Sequence, residues 1–467
     1  MVQPHSLTGF VPRTQLPPRL LPVLYFGLAH VAFALACLAI ALDPRGVSGF
    51  FYHARMLGIV HLVTLGWITA SILGSLYVVG PVALRVWIPA TWLDYTAFAL
   101  VLIGIVGMVA HFWLQEYGGM AWSAITIGLG ILLVGVHVAR CLRQATLPRA
   151  ISAHIMLAFL NILAAATLGV LIGFDKVYHF LPGFVLANVF AHAHLAALGW
   201  ATMMVVGVAY RLLPMILPAA MPGGPRLWLS AILLQTGVTG LFVTLLWRGR
   251  FAWIFAIIIV GALAAFFSQV AGMLRHPRPR PPKVRTPDPA VLHAGASFLW
   301  LAVASIFGVW LTLAEPSPNT LRIAMAYGVF GLVGFLAQMV VGMEGRLLPI
   351  FSWYWAYANT GYRGPVLSQH EMPWRNGQEL AFVLWLFGVP ALAGGLAFDA
   401  IPFVSAAAWS LFAAALVDTA NVIRIVHYAF ITPSSARVRV HRRPRHGGGR
   451  RLRRGLADDE SLSWQDP

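Results

Sequence analysis

The chain has 467 residues, of which 59% are hydrophobic and only 10% are charged, and its mean hydropathy is +0.77. A soluble globular protein of this length cannot bury so much apolar surface, so the composition excludes the soluble enzyme and binding-domain classes. The formal net charge of +17 would suit a nucleic-acid-binding protein. The basic residues, however, are concentrated in tails and loops between apolar segments, so no nucleic-acid partner is expected.

Long apolar segments follow one another along almost the whole chain. A helix needs about 20 mostly apolar residues to cross a bilayer, and the chain has about a dozen such segments. In chain order the predicted spans are 20–42, 54–81, 93–114, 121–142, 150–174, 184–213, 227–247, 251–274, 290–314, 321–350, 380–398 and 402–431. The sequence therefore predicts an all-α polytopic membrane protein with a single membrane domain over 20–432, which contacts membrane lipid.

The charges predict the orientation of these spans. Most of the 32 Lys and Arg residues lie in the two tails and in the even-numbered loops. Because cytoplasmic loops carry an excess of Lys and Arg, both termini are expected in the cytoplasm. The tail over 1–19 is then cytoplasmic, and the basic, Gly- and Pro-rich tail over 433–467 is expected to be disordered there.

A pattern of glycines and prolines recurs three times, with a period of about 134 residues. The three copies are Gly66, Gly74 and Pro81, then Gly199, Gly207 and Pro214, then Gly334, Gly342 and Pro349. The pattern predicts three pseudo-symmetric four-helix units, over about 20–145, 146–280 and 288–431. Small residues let membrane helices approach closely, so the second helix of each unit is expected near the centre. We interpret these glycines as packing residues.

Histidines in two predicted spans are the main candidates for chemistry. His192 and His194 open the segment HAHLAALGWATMMVVGVAYRLLP in the sixth span, and a weaker copy of it begins at His61. An imidazole in hydrocarbon needs a partner, and intramembrane histidines are suitable axial ligands of haem. Residues two apart on a helix point about 200° apart, so His192 and His194 are expected to face two pockets. Thr64 and Asn188 are candidate acceptors for the second ring nitrogen of a ligand histidine; a hydrogen-bonded packing role is the alternative.

The segment that begins at His192 resembles the tenth-helix segment of cbb3-type cytochrome oxidase subunit I. The likeness covers the H-x-H, the LGW and the later Gly, Tyr and Pro at the same spacing. The predicted arrangement of twelve spans is also similar to the haem-copper oxidase catalytic subunit. The resemblance implies a b-type haem, with His192 as the ligand of a five-coordinate haem and with His61 and His194 as ligands of a six-coordinate one. A fainter resemblance to the NnrS family, which is linked to nitric oxide stress, rests on HARMLG (53–58) and GRLLPIF (345–351).

The chain departs from the oxidase pattern at the copper site. The H-x-H lies in the predicted sixth span instead of the tenth, and the predicted seventh and tenth spans contain no histidine. Copper or non-haem iron is therefore not expected. The resemblance implies a haem protein of the bacterial cytoplasmic membrane, acting in electron transfer with a c-type cytochrome or quinol, or in handling nitric oxide or oxygen. Whether it is an oxidoreductase is left open. The alternatives are a terminal oxidase or nitric oxide reductase subunit with an atypical metal site, and a membrane transporter.

Glu344, Arg346 and Arg211, which are ionisable and lie near span ends, are further candidates, and so is His53, which lies outside the spans. Glu344 is expected to form an ion pair with Arg346 or Arg211, or to lie on a proton path. His53, just before the second span, is a candidate metal ligand, with a solvated interfacial histidine as the alternative.

Two further polar residues lie inside predicted spans. His30 is expected to make an interior hydrogen bond or to act as an additional ligand. Asp418 is expected to pair with an arginine such as Arg424, because a carboxylate in hydrocarbon needs a counter-charge.

Overall fold

A computed structural model describes residues 16–279, 286–361 and 366–431, which form helices and connecting turns without a strand. Twelve of these helices are long and apolar enough to cross a membrane, which confirms the predicted number of spans and the all-α class. They are α1 (Leu20–Leu42), α2 (Ala54–Leu84), α3 (Trp92–Leu114), α4 (Tyr117–Arg143), α5 (Arg149–Tyr178), α6 (Val185–Ile216), α7 (Arg226–Leu246), α8 (Ala252–Arg275), α9 (Pro289–Leu313), α10 (Pro318–Asn359), α11 (Arg375–Ala397) and α12 (Ile401–Phe430). The predicted tail over 433–467, and most of the one over 1–19, lie outside the described residues.

Local sequence explains where several spans begin. Thr91 and Asp94 form a capping box at the start of α3, and Ser317 and Thr320 form one at the start of α10. Asp288 caps α9, where its side chain accepts a hydrogen bond from a backbone N–H. These side chains satisfy N–H groups that have no partner within the first turn of a helix.

Three helices meet in the centre of the molecule. The α2, α6 and α10 helices contact one another and surround an apolar cavity of about 80 Å³. The α1, α5 and α9 helices pack against α2, α6 and α10 respectively, and the pairs α3–α4, α7–α8 and α11–α12 form antiparallel hairpins. The α1 helix also packs against α12. The central position expected for the second, sixth and tenth helices is therefore observed.

Each central helix contains a π-helical segment of eight residues. The segments are Leu62–Thr69, Leu195–Thr202 and Phe330–Ala337. Gly66, Gly199 and Gly334 hold the same position, the fifth, in their segments. In α2 and α6 the π-helical segment begins directly after His61 and His194, the last residues of the preceding α-helical stretch. Such segments are rare and frequently occur at functional sites.

The recurring glycines allow close helix contact. A Cβ atom at Gly66 would lie 2.4 Å from the Cβ of Ala32 on α1. The equivalent atom at Gly199 would lie 2.8 Å from Asn161 on α5, and at Gly334 it would lie 2.8 Å from Trp300 on α9. Real side chains do not approach so closely, and the interpretation of these glycines as packing residues is confirmed.

We expect Gly66→Ala to destabilise the protein by about 1–3 kcal/mol, because the added methyl group overlaps Ala32 and forces α1 and α2 apart. The measurement is the thermal unfolding midpoint of the purified protein in detergent. Gly331→Ala is the matched control in another π-helical segment, where a Cβ meets no atom within 4 Å. That variant is expected to keep the wild-type midpoint or raise it, since alanine favours a helix over glycine. Equal losses in the two variants would contradict the packing argument.

Candidate functional site

His61 on α2 and His192 on α6 face each other in the interior of the bundle. Their ring centroids are 6.5 Å apart and their planes differ by 30°. The ring of Phe112 on α3 stacks against His61 at 5.0 Å. On the other side, a Cβ at Gly169 on α5 would lie 2.9 Å from the His192 ring, so this imidazole lies directly against the α5 backbone. Four helices therefore position the two rings.

Hydrogen bonds to the backbone determine which ring nitrogen carries the proton. The Nδ1 atom of His61 lies 2.7 Å from the carbonyl oxygen of Leu57, and that of His192 lies 2.9 Å from the carbonyl oxygen of Ala165. A carbonyl oxygen only accepts, so Nδ1 is the donor in both rings and Nε2 keeps its lone pair. No hydrogen bond reaches either Nε2 atom from the residues that the structure describes. Each imidazole is therefore anchored at Nδ1 and keeps an Nε2 lone pair that could bind a metal.

The predicted acceptors for these rings are wrong. The hydroxyl of Thr64 donates to the carbonyl oxygen of Val60, on its own helix, and Asn188 lines a cavity near His192. Backbone carbonyl oxygens, instead of these two side chains, accept the hydrogen bonds of the histidine rings. On α2 the acceptor is one turn before His61, where the helix carbonyl is within reach of the ring without any side chain.

His194 has a different environment. Its Nδ1 donates to the carbonyl oxygen of Phe190 at 2.8 Å, and its Nε2 accepts a hydrogen bond from the hydroxyl of Tyr327 on α10 at 3.1 Å. The two rings stack with centroids 5.8 Å apart. Both nitrogens are therefore occupied. The two histidines of the H-x-H face different neighbours, as helix geometry predicts, but the structure brings His61 together with His192 and not with His194.

A cavity of about 360 Å³ lies along α5 and α6, and neither histidine of the pair lines it. Asn188 is one turn before His192 on α6, and Ile172 is one turn after Gly169 on α5. The full lining is Tyr52, Tyr117, Ile172, Asp175, Lys176, His179, Val185 and Asn188. The cavity lies at the end of α5 and the start of α6, on the side predicted to face away from the cytoplasm.

The cationic residue of this cavity is Lys176. Its Nζ lies 4.5 Å from the ring centroid of Tyr52 and 4.7 Å from that of Tyr117. Two aromatic rings of the cavity wall therefore stabilise the ammonium group.

His53 caps the start of α2. Its Nδ1 accepts a hydrogen bond from the backbone N–H of Met56 at 3.4 Å. Burial lowers the pKa of His53 from its usual value; the backbone at Val47 raises it in part, and the nearby Arg55 lowers it again. The net direction favours the neutral ring that a capping acceptor requires. It belongs to no group of three or more metal-ligating side chains in the described part of the chain, and its role as a metal ligand stays a prediction.

The expected ion pairs of Glu344 differ from those in the structure. Arg346 pairs with Asp288 at the start of α9, and Nε of Arg211 has no hydrogen-bond partner among the described residues. Positions 344 and 346 point about 200° apart on a helix, so the two side chains enter different surroundings. Glu344 instead faces α1 and α2.

Asp418 also has a different neighbour from the one expected. Arg424 donates through Nε to the carbonyl oxygen of Met372 at 3.1 Å. Asp418 lies close to His30 and Glu344, with ligating atoms within 4.8 Å of one another. His30 thus makes the interior hydrogen bonds that the sequence predicts, but with residues from the far end of the chain.

The main residue that sequence reasoning missed at the histidine site is Tyr327. Tyr327 in α10 and His192 in α6 are equivalent, since each lies three residues before the π-helical segment of its helix. The repeat register therefore contained the signal, because equivalent positions on the central helices face the same interior. The acceptor at Ala165 had no such signal, since a backbone carbonyl is independent of residue type.

No protein-family model matches this chain, and no curated protein matches it. The function is therefore inferred from the geometry of the histidine pair.

Proposed function

We propose that this chain is a haem-binding integral membrane protein, with one b-type haem that His61 on α2 and His192 on α6 would hold. The observation that carries the proposal is the facing pair of imidazoles, whose centroids are 6.5 Å apart. Each ring is anchored through Nδ1, and its Nε2 has no hydrogen-bond partner among the described residues. Two such nitrogens would suit the iron of a six-coordinate haem.

The spacing of the two rings fits an iron atom between them. Imidazole nitrogens bind a transition metal at about 2 Å, and a ring nitrogen lies about 1 Å from its ring centroid. Two imidazoles on opposite sides of one iron therefore have centroids about 6 Å apart. The observed 6.5 Å agrees with this separation. Lys176, in the cavity of about 360 Å³ along α5 and α6, would be available to pair with a haem carboxylate.

The residues around the pair suit electron transfer or the handling of a diatomic gas. When bound, haem supplies one-electron chemistry and, where an axial position opens, a site for a gas molecule. The carbonyls of Leu57 and Ala165 orient the imidazoles and make them better ligands. Phe112 shields His61 from water, and an apolar shell of this kind tunes the reduction potential. No three-histidine group lies beside the pair in the described residues, so we do not propose oxygen reduction at a haem-copper centre.

We also propose that the chain is organised as three pseudo-symmetric four-helix units, similar to haem-copper oxidase subunit I. The proposal is supported by equivalent contacts of α1, α5 and α9 with the three central helices and by a glycine at the same position of each π-helical segment. The proposed haem then lies between the first and second units. In that arrangement both termini are cytoplasmic, and a c-type cytochrome or quinol is the redox partner.

A visible spectrum of the purified protein tests the proposal. We expect a Soret band in the oxidised protein, a sharp α band after dithionite reduction and about one haem per chain by the pyridine haemochrome method. A colourless protein, folded and purified from haem-sufficient cells, would contradict it. Addition of carbon monoxide then separates the two activities. An unchanged reduced spectrum indicates that both histidines stay bound and favours electron transfer. A shifted spectrum indicates that carbon monoxide displaces one histidine and favours the handling of a gas.

A further inference from the structure

Three ionisable side chains from α1, α10 and α12 meet in the interior of the protein. His30, Glu344 and Asp418 each offer one ligating atom, and these atoms all lie within 4.8 Å of one another. Their exposed fractions are 5%, 1% and 6%. His30 lies ten residues into α1, about 15 Å along the helix axis, which places the group near the middle of a span. We call these three residues the α1–α10–α12 cluster.

Hydrogen bonds determine the tautomer of His30. The hydroxyl of Thr419 donates to the carbonyl oxygen of Ala415 at 2.7 Å, and the same oxygen lies 2.9 Å from Nδ1 of His30. Because the hydroxyl proton is already used, Thr419 accepts from Nδ1–H. The other nitrogen, Nε2, faces Glu344 at 3.1 Å. Thr419 therefore holds the ring so that Nε2 is directed at the two carboxylates.

One carboxylate oxygen of the cluster lacks any partner. Oδ2 of Asp418 is buried and has no hydrogen-bond partner among the residues that the structure describes, although burying such a group without one costs free energy. Glu344 accepts one hydrogen bond from Ser71, at 3.3 Å. Neither carboxylate pairs with a Lys or Arg of the described ranges. Without a bound cation, the contact of 3.1 Å between Nε2 of His30 and Glu344 needs a proton on that ring nitrogen. The imidazolium then balances one carboxylate and leaves the other without a counter-charge in the apolar interior.

We propose that the α1–α10–α12 cluster binds one divalent transition-metal ion through Nε2 of His30 and one carboxylate oxygen each from Glu344 and Asp418. Two carboxylates neutralise a divalent cation, and a mixture of imidazole and carboxylate ligands suits Mn²⁺, Fe²⁺ or Zn²⁺. Thr419 orients the histidine and Ser71 orients Glu344, as outer hydrogen-bond partners do at metal sites. The site lies on helices other than those that hold the histidine pair, and it does not depend on the proposed haem.

Metal binding to the intact protein tests this inference. The protein is purified in detergent, treated with EDTA and desalted, and Mn²⁺ is then added while the EPR signal of the free ion is recorded. We expect about one Mn²⁺ bound per chain, displaced by Zn²⁺, with coupling of the bound ion to a single histidine nitrogen in pulsed EPR. The haem spectrum is expected to stay unchanged, so that this result and the one for the haem are independent.

Two variants and one control assign the site. Asp418→Asn is expected to weaken Mn²⁺ binding more than tenfold, and Thr419→Val to weaken it about tenfold through loss of the histidine anchor. Asp43→Asn changes a carboxylate outside the spans, paired with Arg55, and is expected to bind Mn²⁺ like the wild type. Absence of stoichiometric Mn²⁺ and Zn²⁺ binding to the folded wild-type protein would overturn the proposal, as would bound Mn²⁺ without nitrogen coupling. The wild-type measurements stand even if a variant fails to fold.

Discussion

Replacement of His61 or His192 by alanine is expected to remove the proposed haem from the purified protein, whereas His194→Ala is expected to keep it. Loss of either proposed ligand should lower the haem content more than about tenfold, because even outer-shell changes at metal sites cost 10- to 100-fold. His194 already has both nitrogens engaged, by Phe190 and Tyr327. The measurement is the pyridine haemochrome content of each variant, normalised to folded protein.

The control for this series is His154→Ala. His154 is fully buried, and its two ring nitrogens meet the carbonyl oxygen of Ala150 and the hydroxyl of Ser230. We expect this variant to lose stability but to keep its haem. Retention of haem in His192→Ala together with its loss in His194→Ala would instead favour the ligand pair that the oxidase resemblance implies.

Asp94→Ala is expected to be strongly destabilising. The Oδ1 atom of Asp94 lies 2.8 Å from the hydroxyl of Tyr77 and 2.6 Å from Nδ1 of His137. Its Oδ2 accepts from the backbone N–H and the hydroxyl of Thr91. Removal of the carboxylate leaves the buried Tyr77 hydroxyl without this partner and removes the hydrogen bonds that link α3 to α2 and α4. It also abolishes the cap of α3. We expect a loss of about 3–5 kcal/mol, as for breaking one partner of a buried ion pair.

The thermal unfolding midpoint in detergent measures this effect, and Asp43→Asn is the matched surface control. Asp43 pairs with Arg55 where both side chains are about half exposed, at 50% and 56%. Exposed ion pairs contribute at most about 1 kcal/mol, and asparagine retains an oxygen that can accept from the N–H of Gly46. Similar midpoints for the two variants would show that the contacts of Asp94 contribute little.

Sequence reasoning located the histidines but paired them differently from the structure. It recognised His61, His192 and His194 because imidazoles are conspicuous in apolar segments. The partner of His61 depends on the rotation of α2 and α6 about their axes, and each residue turns the direction of a side chain by about 100°. A helix that is apolar on all sides has no polar face to indicate that rotation.

The charged residues of α10 show the same limit. The sequence predicted that Glu344 needs a partner, and it has one, but the partner is His30 on α1. Arg346, only two positions away, pairs with Asp288 instead. Nearness along the chain suggested the wrong pairs, because neighbouring residues on a helix point into different surroundings.

The sequence by itself determined the helical class, the twelve spans and the positions of the close-packed glycines. These follow from local physics, since a bilayer requires about 20 apolar residues per helix and backbone hydrogen bonds satisfied within each span. Only the tertiary structure decided that His61 faces His192 and that Tyr327 donates a hydrogen bond to His194. It also decided that His30, Glu344 and Asp418 form one cluster. Those contacts join residues more than 100 positions apart, and they depend on helix rotation and packing that an almost uniformly apolar sequence does not encode locally.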